Sequence, residues 1–183
     1  VTASSTGGDV TLGAVGAAGN TASDFTVSKI EVTAKDGKAV VGNIDFSGVA
    51  TTTTGKIETI NVTSTGASTA ASTIGTIDAD KLGTVTVSSE KHDATIGAIT
   101  VGADTLTTDY TDGTITALKA SGFEAASIAA IKADKVDSII VESKGTVTAK
   151  NALLTSINDA NGTSKGTIGT IDVTSAKGDA TTG

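Results

Sequence analysis

The chain has 183 residues and a formal net charge of −7, and it contains no Cys, Met, Trp, Pro or Arg. The acidic charge and the scattered lysines exclude a nucleic-acid surface, which needs clustered cations, and no stretch approaches the roughly 18 apolar residues of a membrane span. The absence of Cys also excludes disulfides and thiolate metal sites. Thr, Ala, Gly and Ser dominate, so the core must be thin and built from Val, Ile, Leu and Ala.

Such an acidic composition, rich in small polar residues, fits an extracellular bacterial surface protein. The hydrophobic share of 38% and the regular placement of β-branched residues favour an ordered chain over disorder. Because the sequence starts at Val1 and contains no Met, we expect a processed product or an internal segment of a longer chain.

One short pattern runs along the chain: an apolar residue, two spacers, a β-branched residue, one spacer, and another apolar residue or Ala. In chain order it occurs at Val27/Ile30/Val32, Val41/Ile44/Phe46, Ile57/Ile60/Val62, Ile74/Ile77/Ala79, Leu82/Val85/Val87, Ile96/Ile99/Val101, Ile128/Ile131/Ala133, Val136/Ile139/Val141 and Ile168/Ile171/Val173. Weaker copies centre on Ile115 and Ile157. The period-2 ending and the enrichment in Val, Ile and Thr indicate strands, and the Gly, Asn, Asp and Ser clusters between them indicate turns.

Two segments fit the strand pattern least well. Leu118 to Ile131 and Val147 to Ile157 are candidates for a short helix or a one-turn bulge.

The spacing of the strand motifs repeats at a higher level. The steps between their central positions are 14, 16, 17 and 8, and then 14, 16, 16 and 8. This predicts a super-repeat of about 54 residues, with units at approximately 27–81, 82–135 and 136–183 in one domain, 1–183. The phrase at 74–81 returns at 128–135, and the shortest step predicts a sharp corner at Asp80-Lys81 and Asp134-Lys135.

Short strands that cannot bury their own inner face must stack on one another. We therefore predict an all-β fold, a β-solenoid (parallel β-helix) whose coils rise by the ordinary interstrand distance of about 4.8 Å. A coil of about 27 residues would give six or seven coils, and one of about 16 residues would give about eleven. The alternative is a β-sandwich with Greek-key connections.

The phrases at 57–65, 82–88 and 168–175 give the chain a resemblance to known surface proteins. It resembles the repetitive β-solenoid regions of bacterial surface-layer (S-layer) proteins and of the related type I-secreted repeat adhesins. The resemblance implies self-assembly into a lattice on the cell exterior, often with calcium at the contacts. It also implies that cell-surface polysaccharide or lipopolysaccharide is bound through parts outside this sequence. The calcium-binding nonapeptide of the secreted members, G-G-x-G-x-D, does not occur, and Gly7-Gly8-Asp9 is only a fragment of it.

Close carboxylates are the main candidates for chemistry. Asp78, Asp80, Asp134 and Asp137 could act as general acid and base or as oxygen ligands for calcium, and Asp109/Asp112 form a third pair. The competing interpretation is a solvent face, because alternate residues of a strand point the same way. We favour the solvent face and expect no catalytic function and no required cofactor.

Other motifs are weaker. His92 lies in a polar loop without a second His for a metal site, so a surface role is expected. Asn61 and Asn161 begin N-x-[ST] sequons and are candidates for glycosylation.

The sequence thus predicts a structural protein of the bacterial cell surface that assembles with itself. The alternatives are an extracellular repeat adhesin or glycan-binding module, an ice-binding protein using Thr-x-Thr pairs such as Thr84/Thr86, and a polysaccharide-active β-helix enzyme. An ice-binding face would need a Thr pair on successive coils of one face.

Overall fold

The computed structural model describes residues 1–16, 25–46, 54–66, 70–102, 113–145, 152–158 and 167–182, with the backbone alone described for 152–158. Within these ranges all regular structure is β-strand and none is helix. Accordingly, these ranges contain no helix that is long and apolar enough to cross a bilayer.

The described residues form 19 strands. In chain order they are β1 (Thr2–Ser5), β2 (Val10–Leu12), β3 (Val15–Gly16), β4 (Phe25–Val27), β5 (Ile30–Ala34), β6 (Ala39–Val41), β7 (Ile44–Phe46), β8 (Gly55–Ser64), β9 (Ser72–Ile74), β10 (Ile77–Ala79), β11 (Lys81–Ser89), β12 (Ala94–Ile96), β13 (Ile99–Val101), β14 (Thr114–Gly122), β15 (Ala126–Lys132), β16 (Lys135–Ser143), β17 (Ala152–Asn158), β18 (Thr167–Ser175) and β19 (Ala180–Thr182).

Eight of these strands form the first sheet, and they follow the order of the chain. The order is β1-β5-β8-β11-β14-β16-β18, and β4 pairs with β8 beside β5. All of these pairs are parallel, and their register aligns Ile30, Ile60, Val85, Leu118, Ile139 and Ile171 in one row. The chain therefore returns to this row at unequal intervals, the shortest from Leu118 to Ile139 and the longest from Val85 to Leu118.

The second sheet contains the short strands that follow each long strand. One row runs β2-β6-β9-β12-β15 and a second row runs β3-β7-β10-β13-β15, again with parallel pairs. We call one long strand and the short strands after it a circuit. Each circuit lies against the next one, so the two sheets grow together along the chain. A Greek-key sandwich would pair its strands antiparallel, and that alternative is wrong for the described residues.

The strand motif has two structural meanings. In the long strands its two spacers interrupt the alternation of buried and outer positions: Glu58 and Thr59 both lie outside the core between the buried Ile57 and Ile60. In the second sheet the same two spacers form a bend between two short strands, as Gly75 and Thr76 do between β9 and β10. Because both geometries share one spacing, the periodicity alone left the length of a coil open. On average the circuits are close to the longer of the two coil lengths considered above, and the one from Leu118 to Ile139 is intermediate between the two.

Glycine marks the bend because neighbouring backbones approach closely there. Gly13, Gly42, Gly75 and Gly97 all follow the first short strand of their circuits. A Cβ on Gly97 would overlap the carbonyl oxygen of Gly75. In the next circuit Ala129 takes this position, and β15 runs through it without a break.

The core is a narrow column between the two sheets. The interior is filled by Ile, Val, Leu and Ala, and the three apolar residues of β8 (Ile57, Ile60 and Val62) are 0% exposed. Each fully buried Ile or Val contributes roughly 1.5–3 kcal/mol through loss of contact with water. The core is thin, as composition predicted, and stability depends on each circuit covering its neighbours.

The register also places the repeated phrase. Ile74 pairs with Ile96 and Ile96 pairs with Ile128, so the two copies of the phrase lie two circuits apart and in the same row of the second sheet.

The expectation of a helix at Leu118 to Ile131 is wrong. This segment forms the end of β14, a turn at 123–125, and most of β15. Leu118 pairs between Val85 and Ile139 in the first sheet, so pairing with both neighbours overrides the weak local pattern. In the second segment, 152–157 lies in strand β17, and 147–151 lie outside the described residues.

Candidate functional site

Asp80 and Asp134 are placed at two turns that lead into long strands, and both bind a neighbouring circuit. The backbone N–H of Gly55 donates to Asp80 Oδ2 at 2.5 Å, and that of Gly113 donates to Asp134 Oδ2 at 3.0 Å. In return, the N–H groups of Asp80 and Asp134 donate to the carbonyl oxygens of the same glycines, at 3.0 and 2.9 Å. These carboxylates hold one circuit to the next through a repeated pair of hydrogen bonds.

The glycine partners are required by space. A Cβ on Gly55 would overlap the carbonyl oxygen of Phe46, and one on Gly113 would overlap that of Val101. The Asp–Gly pair is therefore a matched unit in which the glycine admits the close approach and the carboxylate accepts its N–H.

Asp78 has a different environment. It lies on β10 directly beside Asp45 of β7, and on its other side it pairs with Thr100 of β13. Burial, and then the negative charges of Asp45 and Asp80, raise the pKa of Asp78 to about 6. The carboxyl group therefore exchanges its proton near neutral pH, and its nearest carboxylate in the sheet is Asp45, which the sequence analysis did not single out. The common phrase Ile-Asp at 44–45 and 77–78 was the signal that could have found it.

Asp137 is close to Asp134 in sequence but makes a different contact. It lies on β16, about half exposed, and pairs with Lys135 Nζ at 2.8 Å. Exposed pairs of this kind contribute about 0–1 kcal/mol. The two residues therefore have separate partners, one in the turn and one on the outer face of the strand.

His92 lies near two carboxylates that belong to two circuits. His92 and Asp93 occupy the turn between β11 and β12, and Glu124 occupies the turn between β14 and β15. His92 Nδ1 lies 3.5 Å from Asp93 Oδ1, and His92 Nε2 lies 3.7 Å from Glu124 Oε2. One ligand atom from each residue lies within 4.8 Å of the others, so together they have the composition of a metal site. The sequence predicts His92 in a polar loop but does not indicate Glu124, which belongs to the next circuit.

Buried serines have an architectural role. Ser64 and Ser89 are paired in register, and each donates its hydroxyl to the carbonyl oxygen of Ala70 at 2.6 Å. Ser72 donates to Ser88 O at 2.6 Å, and Ser143 donates to Glu124 O at 2.5 Å. These hydroxyls donate to backbone carbonyl groups near the turns and so add hydrogen bonds within and between neighbouring circuits.

An open cleft of about 490 Å³ lies beside the His92 turn. It is lined by Ser88, Ser89, Glu90, Lys91, Ser121, Phe123 and Lys144. The Lys91 ammonium group lies 5.8 Å from the centre of the Phe123 ring. The cleft is lined by hydroxyl groups, two cations, one carboxylate and one aromatic ring.

The structure also locates some of the remaining candidate residues, which are the sequons, the third aspartate pair and the Thr pair. Asn61 is partly buried on β8 between Glu31 and Thr86, while Asn161 and the Asp109/Asp112 pair lie outside the described residues. Thr84 and Thr86 are followed in the next circuit by Ala117 and Lys119. A Thr pair on successive circuits, which ice binding requires, is therefore not continued there.

Comparison with family models, with curated proteins and with solved structures finds no match. Function must therefore be inferred from the geometry of the chain and from the resemblance of its repeats to those of surface-layer proteins.

Proposed function

We propose that the circuits are the coils of a parallel β-solenoid, and that the protein is a structural component of the bacterial cell surface whose copies assemble into a surface-layer type of array. The support comes from the parallel pairing of each circuit with the next and from the composition, which is typical of extracellular repeat proteins.

The observation that carries the proposal is the parallel stacking of successive circuits in register, and β18 shows what a circuit exposes when it has a neighbour on one side only. Ile168 and Ile171 are 45% and 43% exposed, although their pairing partners on β16, Val136 and Ile139, are 1% and 0% exposed. In the described part of the chain, β18 pairs with β16 on one side only. An apolar interior edge with unpaired backbone groups is a template for another strand.

The direction of its first strand would allow a second copy to pair with this edge. β1 pairs with β5 on one side in the described part of the chain, and it runs parallel to the other strands of the first sheet. Placing β1 of one copy beside β18 of another would continue the parallel sheet. Such a head-to-tail contact uses two different surfaces and would give open filaments where its rotation does not close into a ring. An array then needs further contacts between the sides of the filaments.

The experiment is a comparison of two lysine variants of this chain. Ile171→Lys places a charge on the exposed edge, and we expect it to weaken self-association by at least roughly tenfold, because burial of one Ile contributes about 1.5–3 kcal/mol. Ile140→Lys is the matched control, because Ile140 lies on the outer face of β16 in register with Asp172. Sedimentation velocity over a range of concentrations measures the association.

The proposal fails if the unmodified chain remains a monomer at all concentrations, or if the two variants weaken association equally. Electron microscopy of the source cell surface adds a second test, because an array-forming protein predicts a regular lattice. The calcium at contacts that the resemblance implies stays a prediction, which the same sedimentation experiment tests with and without added calcium.

A glycan-binding module is the second candidate function, and the cleft beside Phe123 favours it. The two lysines and the aromatic ring of this cleft are groups that contact sugars, although Glu90 also lines it. Saturable binding of an anionic polysaccharide, lost in Lys144→Ala and kept in Lys135→Ala on the outer edge of β16, would support this alternative. Absence of such binding would contradict it.

A further inference from the structure

The turn at His92 carries a group that the architecture of the sheets does not use. His92 Nδ1 is buried and makes no hydrogen bond within the described part of the structure. Buried polar atoms without a partner are rare in folded proteins, and a bound ion or water is one of the recognised explanations. This atom lies 3.5 Å from Asp93 Oδ1, and the other ring nitrogen lies 3.7 Å from Glu124 Oε2, so the imidazole as a whole lies between two carboxylates.

The backbone around the three residues is fixed by contacts between two circuits. The N–H groups of Phe123 and Glu124 both donate to His92 O, at 2.9 and 3.3 Å, and Ala94 N donates to Ala125 O at 2.9 Å. Asp93 Oδ1 accepts the N–H of Ala125 at 3.1 Å. The two turns are therefore held side by side by backbone hydrogen bonds before any ligand is present.

We propose that His92, Asp93 and Glu124 form a binding site for a divalent transition-metal ion, such as zinc, that links two neighbouring circuits. Zinc takes imidazole nitrogen and carboxylate oxygen at about 2.0–2.2 Å, so two of its tetrahedral ligand atoms lie about 3.4 Å apart. A metal binds one ring nitrogen, so one of the two separations, 3.5 Å at Nδ1 or 3.7 Å at Nε2, already matches this value to within a few tenths of an ångström. The three ligand atoms as a set lie within 4.8 Å of one another.

The side chains can complete the site by small rotations. The two short distances involve opposite nitrogens of the imidazole ring, so one carboxylate must turn toward the nitrogen that carries the metal. The side chains of His92, Asp93 and Glu124 are 31%, 36% and 26% exposed, which leaves them accessible to an ion from solvent. Three protein ligands would leave the remaining position to water.

The ligand chemistry selects the class of metal. Calcium and magnesium prefer sites made of oxygen atoms alone, whereas imidazole suits zinc, copper, iron and nickel. Two carboxylates beside one neutral imidazole also balance the charge of a divalent ion. The site therefore differs from the calcium ligands considered among the other aspartates, which include no imidazole.

The test uses the full 183-residue chain, freed of metal with a chelator and titrated with zinc chloride in a calorimeter. We expect one zinc ion per chain and a rise in melting temperature, because a ligand that binds only the folded state stabilises it. His92 is the sole histidine of the sequence, so its imidazole NMR signals must shift during the same titration.

Two isosteric variants and one control separate the site from other carboxylates. Glu124→Gln and Asp93→Asn each remove one ligand charge, and the amide introduced by Asp93→Asn keeps an oxygen that can accept the Ala125 N–H. Each should weaken zinc binding by at least about tenfold, since loss of even an outer-shell partner of a metal ligand costs about 10–100-fold. Asp137→Asn, which alters an exposed carboxylate of β16, should leave the affinity unchanged. Melting curves in chelator verify that each variant folds.

The proposal is overturned if zinc does not bind, if it binds with equal affinity to Glu124→Gln and to the unmodified chain, or if the His92 signals do not move. Calcium that binds at these residues in place of zinc would overturn the assigned metal class.

Discussion

The strands β16 and β18 lie side by side with the same apolar pattern, yet their interior side chains differ in exposure. Ile139 on β16 is fully buried, whereas Ile171, its partner on β18, is 43% exposed. The residue type is the same, so the difference comes from the neighbours: β16 is covered on both sides and β18, within the described ranges, on one. Burial here is a property of the stack, and a strand is completed by the strand that follows it.

The largest expected effect comes from truncating the two isoleucines of this comparison. Ile139→Ala should lower the free energy of unfolding by about 2–5 kcal/mol, the range for a large buried side chain that leaves a cavity. Ile171→Ala should lower it by about 1 kcal/mol or less, because the side chain already contacts water. Urea denaturation at a concentration below that of self-association measures both values, and equal losses would contradict the account.

A smaller effect is expected at the turn between β15 and β16, where two aspartates can be compared. Asp134→Ala removes the acceptor of the Gly113 N–H and should cost about 1–3 kcal/mol, as for a buried donor left without its partner. Asp137→Ala removes an exposed ion pair with Lys135 and should cost about 0–1 kcal/mol. A larger loss at Asp137 than at Asp134 would show that the turn is held in another way.

The smallest expected effect is a gain in stability when the charge of Asp78 is removed. The pKa of Asp78 is raised from 3.8 to about 6 in the folded protein, so the folded state holds this proton more tightly than the unfolded chain does. Stability therefore falls as the pH rises from about 4 to about 6, and the full cost is present above about pH 6. Asp78→Asn removes a charge that is disfavoured by burial and then by Asp45 and Asp80, and it should stabilise the protein at about pH 7.5 by about 1 kcal/mol, since solvent screens a half-exposed group.

That gain should disappear near about pH 3.5, where Asp78 is largely protonated in both states. Asp172→Asn is the control, because Asp172 is exposed on β18 and pairs in register with Ile140 rather than with a carboxylate. Thermal melts of both variants across this pH range make the measurement, and a gain that is independent of pH would refute the assignment to Asp78.

The strands and their buried positions could be predicted from the sequence because a β-branched residue flanked by apolar residues reports burial directly. Ile60 and Val85 lie in the core as the motif indicated. The length of a circuit could not be predicted, because the same pair of spacers interrupts the alternation within one strand at Glu58-Thr59 and forms a bend between two strands at Gly75-Thr76. Only pairing in space separates the two cases.

The candidate sites were less predictable for the same reason. Asp80 was recognised as part of a turn, but its partner Gly55 lies 25 residues earlier in the chain. Glu124 reaches His92 because two turns in successive circuits are adjacent, and this depends on the register. Contacts between circuits therefore determine the chemistry, and local motifs do not report them.

The most direct test of the open edge is small-angle X-ray scattering over a series of protein concentrations. We expect particles whose cross-section stays constant while their length grows with concentration, because β1 of one copy pairs with β18 of the next. A compact particle whose dimensions do not change with concentration would contradict it.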